Sequence, residues 1–283
     1  MATPESVAAS YQFLREYIAG QTGIELGPDR QYLVESRLEP VMEEVGCQSL
    51  AELCVALLRE NQSVPSYAHA AAPIRRKIIH ALSTHETSFF RDPDLFALLQ
   101  SRLLKQLSEE NGCHRLRMWS AAASSGQEAY SLAMCALETG VYAPPLIFAS
   151  DVSAIVIEAA SRGCFTDYEL LRGMDDPVLR QRYFVPIKGG AQVKPEIRAL
   201  IEFSCADLRE PPNAKFAPLD LILCRNVMIY FEEETRLQVL SHLRDQLRQG
   251  GILILGAAET IWSHFVGLER IQEGNTAFYR RIE

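Results

Sequence analysis

The 283 residues, 48% apolar and 23% charged, suffice for one large domain or two modest ones around a packed core. A formal charge of −8 argues against a broad phosphate-binding face, so no nucleic acid partner is expected, although small basic patches stay compatible. The cysteines at 47, 54, 113, 135, 164, 205 and 224 are odd in number and form no C-x-x-C pair, which points away from a disulfide framework or a zinc site and fits a reducing cytoplasm. No metal site is expected. The N-terminus has no basic start followed by an apolar run, and no stretch approaches 18 apolar residues, so neither a signal peptide nor direct membrane insertion is expected.

From Ser6 to about Leu82 the periodicity is helical and no strand signal interrupts it. Tyr11, Leu14 and Ile18 share a stripe, with Gly20 and Gly23 as stops. Asp29 is placed to cap a second helix carrying Leu33, Val34, Leu38, Val41 and Met42, ended by Gly46. Ser49 opens a third, Leu50 to Leu58. Residues Ala68 to Pro73 read as a hinge or helix break before a short helix bearing Ile74, Ile78, Ile79 and Leu82. Residues 1–83 are therefore expected to form an N-terminal helical domain.

A polar and aromatic segment, residues 84–94, reads as the linker to a second domain spanning 95–283. Asp92 and Pro93 suit the cap and first turn of a helix from Leu95 to Leu107, closed by Gly112. Phe89 and Phe90 are expected to plug a seam between the domains. Arg91, directly after two buried aromatics, is expected to be held rigidly and to pair with a carboxylate.

Leu116 to Met134 reads as strand, tight loop and helix. Leu116, Met118 and Trp119 supply strand propensity; six tiny residues follow; then Tyr130, Ala133, Met134 and Leu137 recur at helical spacing. The small residues let a ligand approach the backbone, and the helix start at Gly126 offers unpaired N–H groups. A phosphate-cradling Gly-Lys-Ser/Thr ending is absent, and one glycine does not make a dinucleotide fingerprint. A nucleoside without phosphate, such as S-adenosylmethionine, fits better, because acidic partners such as Glu128 become useful. An ordinary tight turn would look the same at this stretch alone.

Leu146 to Asp151 is an apolar run without alternation, the signature of a strand buried on both faces, ending in an acid. Asp151 is placed to accept ribose hydroxyls at the carboxyl end of its strand, to cap the helix Ile155–Ser161, or both. Within 163–199, Tyr183 to Ile187 followed by Gly189-Gly190 predicts a small inserted β-hairpin subdomain. The sheet resumes at Leu200–Ser204, with Asp207 and Leu208 past its end, where an adenine ring could be flanked. Leu219 to Phe231 runs from a buried strand into Arg225, Asn226 and Tyr230. Glu232, Glu233 and Glu234 then favour the first turn of a helix burying Val239, Leu240, Leu243 and Leu247, which stops at Gly250-Gly251. Ile252–Leu255 is a further central strand, and Phe265–Leu268 with Ala277–Arg280 would finish the sheet as an antiparallel pair. The fold class is α/β: a doubly wound, mostly parallel seven-stranded sheet of the class I methyltransferase kind, with the helical domain ahead of it.

Four motifs in order, Thr87 with Phe89-Phe90-Arg91, Trp119 through Glu128, Ala149-Ser150-Asp151, and Cys224 through Phe231, resemble the CheR-type chemoreceptor glutamate methyltransferases across nearly the whole chain. The resemblance implies transfer of a methyl group from S-adenosylmethionine, leaving S-adenosylhomocysteine, to glutamate carboxylates on chemoreceptor cytoplasmic domains during sensory adaptation. It implies cofactor contacts by Thr87, Arg91, Glu128, Asp151, Asp207, Leu208, Arg225 and Asn226, with His85 in a position usually filled by Asn, and it puts Arg91 and Tyr230 beside the transferring methyl. Arg91 would position a carboxylate and Tyr230 would shape the methyl channel. Departures are Ala129 and Ala258, where relatives often carry Pro and Ser, and a second helix rich in Glu35, Glu39, Glu43 and Glu44 where some members are basic. The loop around Gly189-Gly190 is short for gripping the receptor C-terminal pentapeptide tether that some members use, so tether-independent action is expected. A non-catalytic adaptor that binds the cofactor, or a methyltransferase of small molecules or RNA, would share the sheet.

Overall fold

The computed structural model describes residues 6–63, 73–112, 114–210, 216–261 and 265–283, which divide into two compact units. The break expected at residues 68–72 lies outside the described residues. Among the described residues, no helix is long and apolar enough to cross a membrane.

The first unit comprises residues 1–84 together with Ser153–Ile155 and Tyr230–Glu232. Its helices are α1 (Val7–Thr22), α2 (Gln31–Val45), α3 (Leu50–Ser63) and α4 (Pro73–Leu82). They bury Leu14, Ile18, Leu38, Leu53, Leu57 and Ile78 completely. Several boundaries differ from expectation. Gly20 does not stop α1, which runs on until Gly23 turns left-handed (φ 74°) and donates to the Ala19 carbonyl. Arg30 rather than Asp29 occupies the N-cap of α2, and no side chain caps it. Ser49 accepts from the Glu52 N–H at 3.2 Å while Glu52 accepts from the Gln48 N–H at 2.8 Å, and α3 extends beyond Leu58. Arg37 reaches the carbonyls of Leu82 and Ser83 at 3.4 and 3.5 Å, satisfying the C-terminal end of α4.

The second unit holds the remaining residues. It opens with α5 (Pro93–Leu98), a π turn (Leu99–Leu103) and α6 (Leu104–Glu110), followed by β1 (Arg117–Ala121), α7 (Gln127–Thr139), β2 (Leu146–Asp151) and α8 (Ala154–Arg162). An insertion carries β3 (Cys164–Thr166), α9 (Asp167–Leu171), α10 (Pro177–Tyr183), β4 (Phe184–Ile187), β5 (Gly190–Val193) and α11 (Pro195–Arg198). Then come β6 (Ile201–Cys205), β7 (Leu219–Cys224), a 3-10 turn (Met228–Tyr230, whose last residue groups with the first unit), α12 (Glu233–Gln246), β8 (Leu247–Leu255), β9 (Leu268–Glu273) and β10 (Thr276–Arg281).

Seven strands form one sheet in the order β6-β2-β1-β7-β8-β10-β9, parallel until β10, which is antiparallel to both neighbours. Every residue of β7 is buried, as a strand covered on both faces requires. Strand order reverses at β1, whose partners are β2 and β7, so the crevice at their carboxyl ends is the switch point of the fold. α12 ends at Gln246, and Leu247 already pairs with Leu219. The expected stop at Gly250-Gly251 is instead an irregularity inside β8, where pairing jumps from Leu219 to Leu221. The terminal pair begins at Leu268, later than expected, because Val266 and Gly267 form a turn.

The insertion is a three-stranded sheet, β3-β5-β4, not a lone hairpin. Its core receives Phe89, whose ring meets Phe165 and Phe184 edge-on at 4.9 and 5.7 Å. Phe90 packs on Phe96 at 5.3 Å, so both aromatics, expected at a seam, pack on the core of this unit. Only glycine fits at 173, with φ 94° and a hypothetical Cβ 1.9 Å from the Phe89 carbonyl oxygen. The insertion is tied to α7 by Tyr183 and Arg182, which both donate to the Glu138 carboxylate.

The hydrogen bond from Tyr183, helped by Arg182, holds the Glu138 carboxyl below its ordinary value of 4.5. A depressed folded-state pKa contributes stability above the unfolded value and loses it as pH falls through the folded one. Tyr183→Phe is therefore expected to cost roughly 1–2 kcal/mol in urea unfolding at pH 7, with the deficit shrinking below pH 4.5.

Candidate functional site

Strand β1 delivers Ala121 to the switch point, and the chain then turns through Ala122 and Ser124, both left-handed (φ 62° and 50°) without being glycine. Phe90, Asp92 and Asn226 are the other non-glycine residues with positive φ among those described (46°, 66° and 59°). Such backbone persists only where surrounding contacts over-determine it, and it concentrates at ligand sites. Gly126 (φ 94°) heads α7, and a Cβ there would lie 2.9 Å from the Ala160 Cβ.

Two sets of hydrogen bonds hold this backbone. In the first, Asp151 at the end of β2 accepts the Ser124 N–H at 2.9 Å, and Ser124 Oγ donates to the His85 carbonyl at 3.0 Å. The second centres on Arg225, just past β7, whose side chain is 2% exposed. Its Nη1 donates to Glu128 Oε2 at 2.9 Å, and Nη2 donates to the Arg91 carbonyl at 3.1 Å and to Asp92. Glu128 Oε1 accepts from Ser120 at 2.7 Å, so the carboxylate is held at both oxygens. Asp92 thus occupies the N-cap position of α5 but spends its side chain on Arg225, not on the cap as expected.

The structure brings His85, Glu128, Asp151 and Arg225 into these sets, with Arg91 joining through its carbonyl. Asp207 and Leu208 follow β6, whose Cys205 pairs with Asp151, and the Ala206 N–H donates to the Asp151 carbonyl at 3.0 Å. The Asp207 carboxylate is engaged by Arg209, with Nη2 at 2.7 Å, and Leu208 is buried. The Arg91 Nη1 donates to the Glu86 carbonyl at 3.0 Å, and its guanidinium charge is among the causes that lower the pKa of the Glu86 carboxyl, after the hydrogen bond from Arg172. Thr87 lies half-buried in the irregular stretch before the Phe89 turn. Tyr230 groups with the helical unit, where its carbonyl accepts the Glu25 N–H at 3.0 Å.

One residue given no role by the sequence reading is prominent. Glu259, three residues beyond Gly256, accepts three backbone N–H groups, those of Asn226, Met228 and Gly256, each at 2.7 Å. It thereby fixes the ends of β7 and β8 and the left-handed Asn226. The available signal was an acid just past a buried strand, the same one that marks Asp151. Nearby, burial pushes the Cys224 thiol well above its ordinary value, with Glu259 and Glu128 adding to the effect, so it stays protonated and is no nucleophile.

The arrangement fits a nucleoside bearing no phosphate. The turn is lined by small residues, an acid ends β2, and a second acid, Glu128, is fixed on the first turn of α7. Among the described residues the Nε–H of buried Arg225 has no acceptor, which leaves it to meet a carboxylate. S-adenosylmethionine carries ribose hydroxyls, an amine and a carboxylate; Asp151, Glu128 and the Ala122–Ser125 backbone are the groups that would hold it.

Residues 85–276 match the family model "CheR methyltransferase, SAM binding domain", and residues 9–67 match "CheR methyltransferase, all-alpha domain". The chain is 37% identical over 265 residues to chemotaxis protein methyltransferase 1 of Pseudomonas aeruginosa, covering 89% of this chain and 90% of that one. It is 35% identical over 263 residues to chemotaxis protein methyltransferase Cher2 of Pseudomonas putida, with 89% and 90% covered. Against the chemotaxis protein methyltransferase of Escherichia coli K12 the identity is 31% over 268 residues, with 93% and 86% covered.

Glu259→Gln leaves one side-chain acceptor oxygen where the carboxylate had two. It is expected to lower stability by about 1–3 kcal/mol in urea unfolding and to weaken S-adenosylhomocysteine binding in calorimetric titration. Unchanged values for both would remove Glu259 from the site.

Proposed function

The chain belongs to the CheR methyltransferase family, and on that premise we propose that it transfers the methyl group of S-adenosylmethionine to glutamate side-chain carboxylates on the cytoplasmic domains of chemoreceptors. The products are glutamate methyl esters, which serve sensory adaptation, and S-adenosylhomocysteine. The observation that carries this reading is the small-residue turn after β1 braced on one side by Asp151 and followed by Glu128 on α7.

When bound, the cofactor supplies a sulfonium methyl that is already a strong electrophile. The acceptor glutamate is ionised at neutral pH, its ordinary pKa being about 4.3, so the chain needs to supply no base to activate it. Its residues instead bind, orient and exclude water, and orientation alone can contribute roughly 7–11 kcal/mol. His85, Thr87, Glu128, Asp151, Asp207, Leu208, Arg225 and Asn226 are assigned to cofactor binding, Asp207 with its carboxylate already committed to Arg209. Arg91 is assigned to positioning a carboxylate, its Nη1 being engaged by the Glu86 carbonyl while a guanidinium carries further N–H donors. Tyr230 is assigned to the methyl channel. Residues 1–83 act as the helical domain, 84–94 as a linker that contributes to the site, and 95–283 as the transferase domain with its insertion at about 163–199.

Docking of the receptor is proposed to be independent of a C-terminal pentapeptide tether. Strands β4 and β5 pair Ile187 with Gly190, leaving a two-residue turn, which is little to grip a peptide with. Attraction through α2 is unsupported by charge, because Arg37 is occupied by the end of α4 and, with Glu44 paired to Lys77, Glu35, Glu39 and Glu43 remain along the helix. Action in the cytoplasm, without nucleic acid and without membrane insertion, follows from that substrate.

Incubation with methyl-labelled S-adenosylmethionine and receptor cytoplasmic fragments should give label released by mild alkali, as glutamyl esters require. Label that survives alkali would contradict the reading. Arg91→Ala is expected to lower kcat/KM at least tenfold, and unchanged cofactor affinity and turnover would remove Arg91 from its assigned place.

A further inference from the structure

Arg91 sits between two residues that hold left-handed backbone without being glycine, Phe90 at φ 46° and Asp92 at φ 66°. For a bulky residue such as Phe90 this conformation is costly and persists only where contacts outside the turn fix it. One such contact comes from α7. The Phe90 N–H donates to Ser131 Oγ at 2.9 Å, and the Ser131 hydroxyl donates its own proton to the Gln127 carbonyl one turn back, at 2.7 Å. Ser131 is fully buried inside a helix, where serine is a weak choice because its hydroxyl competes with the backbone. Alanine there would leave α7 its own hydrogen bonds and would take this acceptor from the part-buried Phe90 N–H. The same face of α7 follows the chain onward, with Cys135 donating to the Phe96 carbonyl at 3.7 Å and Thr139 to that of Gln100 at 3.4 Å. On the other side of Arg91, Arg225 Nη2 donates to the Arg91 carbonyl at 3.1 Å. The backbone is thus held just before Arg91 by a hydroxyl and just after its Cα by a guanidinium, which sets the direction in which the Arg91 side chain departs.

We propose that Ser131 is a positioning residue for methyl transfer, holding the Phe90 turn that aims the Arg91 guanidinium. The inference rests on the methyltransferase reading and on the place that reading gives Arg91. It adds a buried hydroxyl on the opposite side of the turn, which acts on the reaction only through Arg91.

The test is a double-mutant cycle in steady-state methylation of a receptor cytoplasmic fragment, with Ser131→Ala made in the wild-type chain and in Arg91→Ala. Amide hydrogen exchange is followed alongside, by NMR on protein carrying isotope-labelled phenylalanine. Exchange at Phe90 should be at least fivefold faster in Ser131→Ala, while Phe148 in β2 keeps its wild-type rate and reports an intact sheet. In the wild-type background kcat/KM should fall at least fivefold; in Arg91→Ala the further loss should be less than twofold, because nothing is left to position. An equal loss in both backgrounds would make Ser131 a residue of the fold alone, and a loss below twofold in the wild-type background would give it no part in the reaction. Either result overturns the inference while the methyltransferase reading stands. Arg91→Ala as active as wild type would remove Arg91 from its place, and a wild-type chain that binds the cofactor but labels no fragment would overturn the methyltransferase reading; this inference falls with either.

Discussion

The burial of one guanidinium, that of Arg225, constrains the second unit more than any other contact. A guanidinium whose side chain is 2% exposed survives only if its charge is met, and Glu128 from α7 and Asp92 from the start of α5 meet it. Three segments distant in sequence are thereby tied at the carboxyl end of β7. The Arg91 carbonyl takes a further N–H, fixing the backbone of the segment that precedes α5. A brace of this kind contributes less to net stability than to uniqueness, since removal of Arg225 would leave the Glu128 carboxylate, 12% exposed, without its counter-ion.

The left-handed backbone around the strand ends follows from the same economy. Ala122, Ser124 and Asn226 adopt a conformation that L-residues resist, and two of the three are held by a carboxylate: Asp151 takes the Ser124 N–H, and Glu259 takes that of Asn226. The carboxylates at the ends of β2 and beyond β8 therefore act on the chain itself. Asp151 holds the turn of small side chains after β1, and Glu259 holds the backbone after β7 and β8.

Much of this was legible in the sequence. Strands β1, β2, β7 and the core of β8 are buried on both faces, so their apolar runs stand out without alternation. Asp151 stood out because an acid ends such a run at the carboxyl edge of the sheet, where it can serve a ligand as well as a helix cap, and Glu128 because it lies on the first turn of the helix after the small-residue loop. What could not be read depends on partners far away in the chain. β3 has three residues, exposed at both ends, and exists only because β5 returns beside it. Asp92 looked like a cap because its partner, Arg225, is 133 residues away. Leu247 reads as the last apolar position of α12, whereas its pairing with Leu219 makes it the first residue of β8. Glu259 follows the same rule as Asp151 and was legible, but its three amide partners come from two different strand ends.

The central claim is that Asp151 and the turn it braces hold the nucleoside of the cofactor. Calorimetric titration of S-adenosylhomocysteine into the wild-type chain and Asp151→Asn measures it most directly, because Asn keeps an acceptor for the Ser124 N–H while removing the charge and the second carboxylate oxygen. The account predicts a dissociation constant at least tenfold weaker in a variant whose thermal unfolding is little changed. Equal affinity in the two proteins would contradict it.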